Sequence, residues 1–321
     1  MGSITDVSGI FVGNYEDADN ITGCTVVFAE KSVAASFDGR GGAPGTRETD
    51  LLNPENLVDT VNAFYLGGGS ALGLEGASGV SRYLEEHDIG FNTGVKKVPL
   101  VSGAIIYDLD IGRPVYPDIK AGYEACKTLT RIFNKNGNVG AGMGATVGKI
   151  RGLNFAMKSG LGTDSVKLGD VVVGALAVVN ATGDVYNFDE KIIAGSLNDQ
   201  KDGFINTNDF ILKGNIDNIP LKNTTIGVIA TNAKLSKGQL KRMLIMAHDG
   251  MAKRIRPVHT IYDGDMIFAI STGEIEFNNT LTLGLMAQIA FEKAIVNAVM
   301  GAESIEGILS ARDINQKGGI K

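Results

Sequence analysis

The chain has 321 residues, of which 44% are hydrophobic, 21% charged and 43 are glycine, with a net charge of −6. This composition supports a large core and excludes a disordered chain, and an acidic balance without a basic run excludes nucleic acid as the main partner. Two cysteines (Cys24, Cys126) and three scattered histidines (His87, His248, His259) give neither a disulfide framework nor zinc spacing, so no metal is expected.

The opening Met1-Gly2-Ser3-Ile4-Thr5-Asp6 lacks a basic region followed by an apolar one, so no signal peptide is expected. The most apolar helix, near 281–299, contains Glu292 and Lys293, so no membrane span is expected either. The chain therefore reads as cytoplasmic and soluble.

Short strands are expected over 10–12, 22–29 and 32–37, followed by the turn Asp38-Gly39-Arg40-Gly41-Gly42-Ala43. Gly67-Gly68-Gly69-Ser70 leads into a helix from Leu72 to Glu86. Gly73, Gly76 and Gly79 give it a smooth face for a neighbouring backbone. A strand over 98–109 and a helix over 118–133 come next, the helix started by Pro117-Asp118. The glycine-rich stretch 137–149 is not a phosphate loop. Gly148-Lys149 would need a glycine where Met143 stands, and Ile150 replaces the magnesium-binding Ser/Thr. Asp170 to Val179 is the most apolar strand, ended by the turn 180–184. From about 194 to 223 periodicity fades, and a loop of that length marks a functional or processing segment.

The strand 225–230 follows, opened by Asn223-Thr224. Ser236 and Gln239 then form a capping box for a helix through Met251. A tight turn at 260–265 feeds a strand to Ile270, a long helix covers 281–299, and 311–321 is expected to be a loose tail. Strand–strand–helix blocks favour an α+β sandwich over a doubly wound sheet.

Four places carry candidate chemistry: Thr224, Lys149, Asn180 and the pair Asp263/Asp265. Each also has an ordinary reading, as strand residue, surface lysine, turn residue and hairpin device. If the Asn223–Thr224 bond is cut, however, Thr224 carries a hydroxyl nucleophile and a free α-amine on one residue.

Together the motifs resemble the L-aminopeptidase/D-esterase family of self-cleaving hydrolases, and within it most of all the 6-aminohexanoate-oligomer (nylon-oligomer) hydrolase branch. The resemblance spans nearly the whole chain. It is carried by residues 38–43, 141–149, 177–180, 223–226 and 259–269, in that order. It implies a four-layer αββα sandwich in a single hydrolase domain, cut at Asn223/Thr224 into an α-chain 1–223 and a β-chain 224–321. It also implies a homo-oligomer, a tetramer of such pairs. The branch's Thr nucleophile, Lys, Asn and two Asp fall on Thr224, Lys149, Asn180, Asp263 and Asp265. Aminopeptidase members instead use Ser, with a Ser/Glu pair where this chain has Asp263 and Asp265. An oligoamide or peptide is therefore the expected substrate. A β-peptidyl or L-aminopeptidase, and a non-catalytic ligand-binding protein on the same fold, are the alternatives.

The residue types suit that chemistry. Thr224 Oγ forms an acyl-enzyme, and its own α-amine, near neutral in unperturbed pKa, moves the proton. Lys149 holds that amine deprotonated and favours developing negative charge. Asn180 donates to the oxyanion. Asp263 and Asp265, on the same side of an extended chain, orient the amine and balance Lys149. No cofactor is required.

Overall fold

Residues 2–215 and 223–317 are described in the computed structural model. Eight strands carry the architecture: β1 (Ile10–Asp17), β2 (Thr22–Gly39), β3 (Thr60–Gly67), β4 (Val101–Ile105), β5 (Leu161–Leu168), β6 (Val171–Asn180), β7 (Thr224–Ala233) and β8 (Met266–Ile275). The main helices are α1 (Gly76–Glu86), α2 (Ile119–Lys127), α3 (Lys237–Arg254) and α4 (Thr280–Gly301). Hydrogen bonds join the strands in the order β5-β6-β7-β8-β2-β3-β4, and β1 pairs with the front half of β2.

β2 carries the chain from one sheet layer to the other. Its residues 22–29 pair with β1, while Ala34–Gly39 pair with β8. A register shift separates Phe28 from Val33 in its pairing with β3. Exposed Glu30, Lys31 and Ser32 lie between those two residues.

Three apolar cores separate four layers. Strands buried on both faces send alternate side chains into different cores. On β6, Val173, Ala175, Ala177 and Val179 face the α3/α4 layer with Leu240, Leu244 and Phe291. Leu176 and Val178 instead meet Val27, Phe64, Leu66 and Phe268 between the sheets. There the Phe64 and Phe268 rings stack with centroids 4.4 Å apart. Val26, Ala63 and Tyr65 pack on α1 and α2 through Ala77, Val80 and Ala125. The αββα sandwich expected from the sequence is observed.

Several expectations need correction. The strands expected at 22–29 and 32–37 are one strand, β2. β3 and β5 were not anticipated at all. Helix α2 ends at Lys127, not Phe133, and is capped by the Asp118 side chain as expected. The helix from Leu72 begins as a 3-10 turn, Ser70–Glu75, before α1 proper. Of its three glycines, Gly79 meets the backbone of α2, Gly73 the Gly68 carbonyl and Gly76 the Tyr65 side chain. Within 194–215 lies a short helix, Thr207–Leu212; the remainder of that expected loop, 216–222, lies outside the described residues. The expected loose tail starts with a helix, Ala311–Lys317, which buries Ala311 and Ile314. Helix α4 is long and apolar enough to cross a membrane, contrary to the expectation, but 67% of its most apolar window is buried inside the protein.

Candidate active site

β7 lies between β6, antiparallel, and β8, parallel. Its first residue is Thr224, in register with Asn180, the last residue of β6. Asn223, just before the strand, bridges Asp263. Gly148, at φ +70°, turns the chain so that Lys149 enters the same place. Thus four separate stretches deliver Asn223, Thr224, Lys149, Asn180, Asp263 and Asp265, each no more than 4% exposed.

Thr224 Oγ1 donates a short hydrogen bond to the Asn223 carbonyl oxygen. The Gly264 backbone N–H points at both atoms, 3.1 Å from the Asn223 oxygen and 3.2 Å from Thr224 Oγ1. A side chain at Gly264 could not be accommodated: its Cβ would stand 2.8 Å from Thr224 Oγ1 and 2.7 Å from the Ala43 oxygen. On the far side, Lys149 Nζ donates to Asn180 Oδ1 at 2.7 Å, Asn180 O at 2.8 Å and Thr146 O at 3.0 Å. Asn180 Oδ1 also accepts from Thr146 N at 3.0 Å, and its Nδ2 donates to Tyr107 O at 3.1 Å. A backbone amide, that of Gly264, thus donates to the Asn223 carbonyl oxygen, and Asn180 Oδ1 accepts from the lysine.

The two aspartates differ from expectation. The continuous strand begins only at Met266; Asp263, bridged to Asn223, and Asp265 precede it, and their carboxylates have different partners. Asp265 Oδ1 accepts from Thr225 N at 2.7 Å, while Oδ2 accepts from His259 N at 3.0 Å and Nδ1 at 2.8 Å. Asp263 Oδ2 caps Thr260, accepting from its N at 3.1 Å and from its hydroxyl.

Burial pushes the Asp263 carboxyl up to about 6, Asp265 adds to the rise, and the hydrogen bonds from Thr260 and the Lys149 charge oppose it. A raised carboxyl means that the fold favours the protonated form. Its contribution to stability is present at low pH and is lost as pH rises from about 4, where an ordinary aspartate ionises, to about 6. Asp263→Asn cannot ionise. The melting temperature of this variant relative to wild type should therefore increase over that pH window. A constant difference would mean that Asp263 does not titrate there.

All five expected catalytic residues gather around the Asn223–Thr224 bond. Three groups were not anticipated: the Gly264 N–H, Thr146, and the histidine pair His259 and His248. The glycine between two aspartates was the only sequence signal for the first. Another buried cation, Lys158, donates to the Gly142 and Ala145 oxygens at 3.0 Å and so ties down the glycine-rich stretch that leads to Lys149. Among the described residues no cluster could hold a metal ion.

A family model described as Peptidase family S58 matches residues 2–312. An uncharacterized aminopeptidase of Mycobacterium leprae (strain TN) is 38% identical over 96% of this chain and 92% of its own. A 6-aminohexanoate-oligomer endohydrolase of Kocuria sp. (strain KY2) is 31% identical over 86% of this chain and 76% of its own. Among solved structures, a Burkholderia sp. beta-aminopeptidase superposes with a TM-score of 0.73 at 20% identity, covering 100% of this chain and 95% of that one. An L-aminopeptidase D-Ala-esterase/amidase from Ochrobactrum anthropi, described as a variant among the Ntn hydrolase fold, gives 0.73 at 18%, covering 98% and 93%.

Proposed function

From the premise that the chain belongs to peptidase family S58 and hydrolyses amide bonds, we propose that it first severs its own Asn223–Thr224 bond. Thr224 then serves as an N-terminal nucleophile on linear oligoamides such as 6-aminohexanoate oligomers. One observation carries the proposal: Thr224 Oγ1 lies against the carbonyl of the residue before it, under the Gly264 N–H. In self-cleavage, Oγ adds to the Asn223 carbonyl carbon and the Gly264 N–H stabilises the oxyanion. The Thr224 nitrogen leaves with a proton, and water opens the resulting ester. The freed amine then takes the hydroxyl proton when Oγ attacks a substrate amide and returns it to the leaving amine. Water releases the acyl group. Lys149 supplies positive charge beside each oxyanion.

Family membership sets aside the non-catalytic reading. The substrate has two readings. Thr224 with Asp263 and Asp265 supports an oligoamide, and 31% identity to a 6-aminohexanoate-oligomer endohydrolase agrees. The 38% identity to relatives named aminopeptidases supports an aminopeptidase, with a pocket for the free ammonium group of its substrate. Two measurements test the proposal. The smaller fragment of purified protein should begin Thr-Thr-Ile-Gly-Val on N-terminal sequencing. Mass spectrometry of a linear 6-aminohexanoate hexamer should show dimers, trimers and tetramers early. Monomer alone from the start, with faster turnover of short β- or L-amino-acid amides, would replace the oligoamide reading with the aminopeptidase one.

A further inference from the structure

Asp265 is the carboxylate hydrogen-bonded next to the nucleophile, and His259 holds its outer oxygen. Oδ1 takes the N–H of Thr225, the residue after Thr224, while both His259 donors, backbone N and Nδ1, converge on Oδ2. His259 Nε2 is buried and has no hydrogen-bond partner. The proton of a neutral ring therefore belongs on Nδ1, toward the carboxylate. Behind it the ring of His248, from α3, stands edge-on with centroids 4.8 Å apart and planes at 69°. His248 Nε2 donates to Asp38 O at 3.0 Å, and burial pushes this imidazole down to about 4, so it stays neutral beside His259. The backbone cooperates. His259 sits at φ +56°, a left-handed conformation that aims its N–H and its ring at one oxygen.

We propose that His259 is a positioning residue for Asp265: it fixes the carboxylate so that Oδ1 stays on the amide following the nucleophile. This assignment rests on reading Thr224 as the nucleophile. The charged and titratable groups around the ring are Asp265 and Asp263 on its own segment, His248 on α3, and Asp38 and Arg40 at the end of β2. His248 is neutral and Arg40 pairs with Asp38 at 2.8 Å, which leaves Asp265 as the ring's direct hydrogen-bond partner at 2.8 Å. Loss of the Nδ1 donor leaves Oδ2 with the His259 backbone N–H alone and frees the carboxylate to turn away from Thr225 N.

Two variants separate this role from simple packing. His259→Gly keeps the left-handed backbone and the backbone N–H but loses the ring. His259→Asn tolerates the same backbone and places an amide N–H near where Nδ1 stood. Glycine should slow both self-cleavage and kcat by roughly ten- to a hundredfold, the effect of a lost charge-assisted hydrogen bond, with KM unchanged. Asparagine should recover most of the rate. A glycine variant with the wild-type rate overturns the assignment, as does an asparagine variant as slow as glycine, which would give the effect to ring packing on His248. If wild type itself neither cuts Asn223–Thr224 nor hydrolyses amides, the nucleophile reading fails and this assignment fails with it.

Discussion

Thr224→Ala is expected to leave the protein as one 33.7 kDa chain with no measurable amide hydrolysis. The substitution removes a single oxygen and a methyl group from a residue whose backbone partners are set by register with Asn180, so β7 should still form. What disappears is the atom that reaches the Asn223 carbonyl. Without it the bond stays closed and no α-amine appears, so nucleophile and base are lost together. Removal of the nucleophile from a serine hydrolase costs about 10⁶-fold in kcat, and loss of both functions at once should cost at least that. Thr224→Ser keeps the hydroxyl and should still be cut. A denaturing gel decides the matter. If the alanine variant appears as two bands broken at the same bond, an outside protease makes the cut and the self-cleavage mechanism is wrong.

How far the sequence reached depended on where its signals were local. β6, β7 and α4 were legible because each is long, apolar and regular, and α3 because it is amphipathic and carries its capping box at Ser236 and Gln239 as expected. β5 was not. Asp164, Ser165 and Lys167 interrupt its apolar pattern because it is the outermost strand and half of it faces solvent. β3 was lost behind the glycines that follow it, although all but its first residue are buried. The site divides in the same way. Side chains with chemistry of their own, Thr224, Lys149, Asn180, Asp263 and Asp265, could be named from residue type and order. The Gly264 N–H and the His259 contacts depend on the turn at 259–265, where a positive φ and a backbone amide do the positioning. No residue letter records which way an amide points. For the same reason the extended chain expected to carry both aspartates was misplaced: they precede the strand that starts at Met266, and Asp263 Oδ2 caps Thr260.

Lys149→Met should reduce kcat of any matured enzyme by roughly 10²–10³-fold, the scale of losing one preorganised group that stabilises transition-state charge, and should lengthen the lifetime of the uncut chain. Nζ is the cation on which Asn180 O, Asn180 Oδ1 and Thr146 O converge, at 2.7–3.0 Å. Methionine fills similar space but donates nothing. Those oxygens would face one another across a buried site, and Asn180 would lose the partner that fixes its side chain. The charge also matters beyond its contacts, because Lys149 opposes the rise of the Asp263 carboxyl. Without it Asp263 should hold its proton to higher pH, so the pH dependence of the residual activity should move upward as well as the rate falling. Lys149→Arg keeps the charge but replaces a compact ammonium with a planar fork that cannot point at the same three oxygens. It should therefore restore little of the rate while returning part of the pH dependence. The two effects are separable by measuring kcat against pH for all three proteins. A methionine variant that matures and turns over near the wild-type rate would remove Lys149 from the mechanism and leave it a structural clamp on the end of β6.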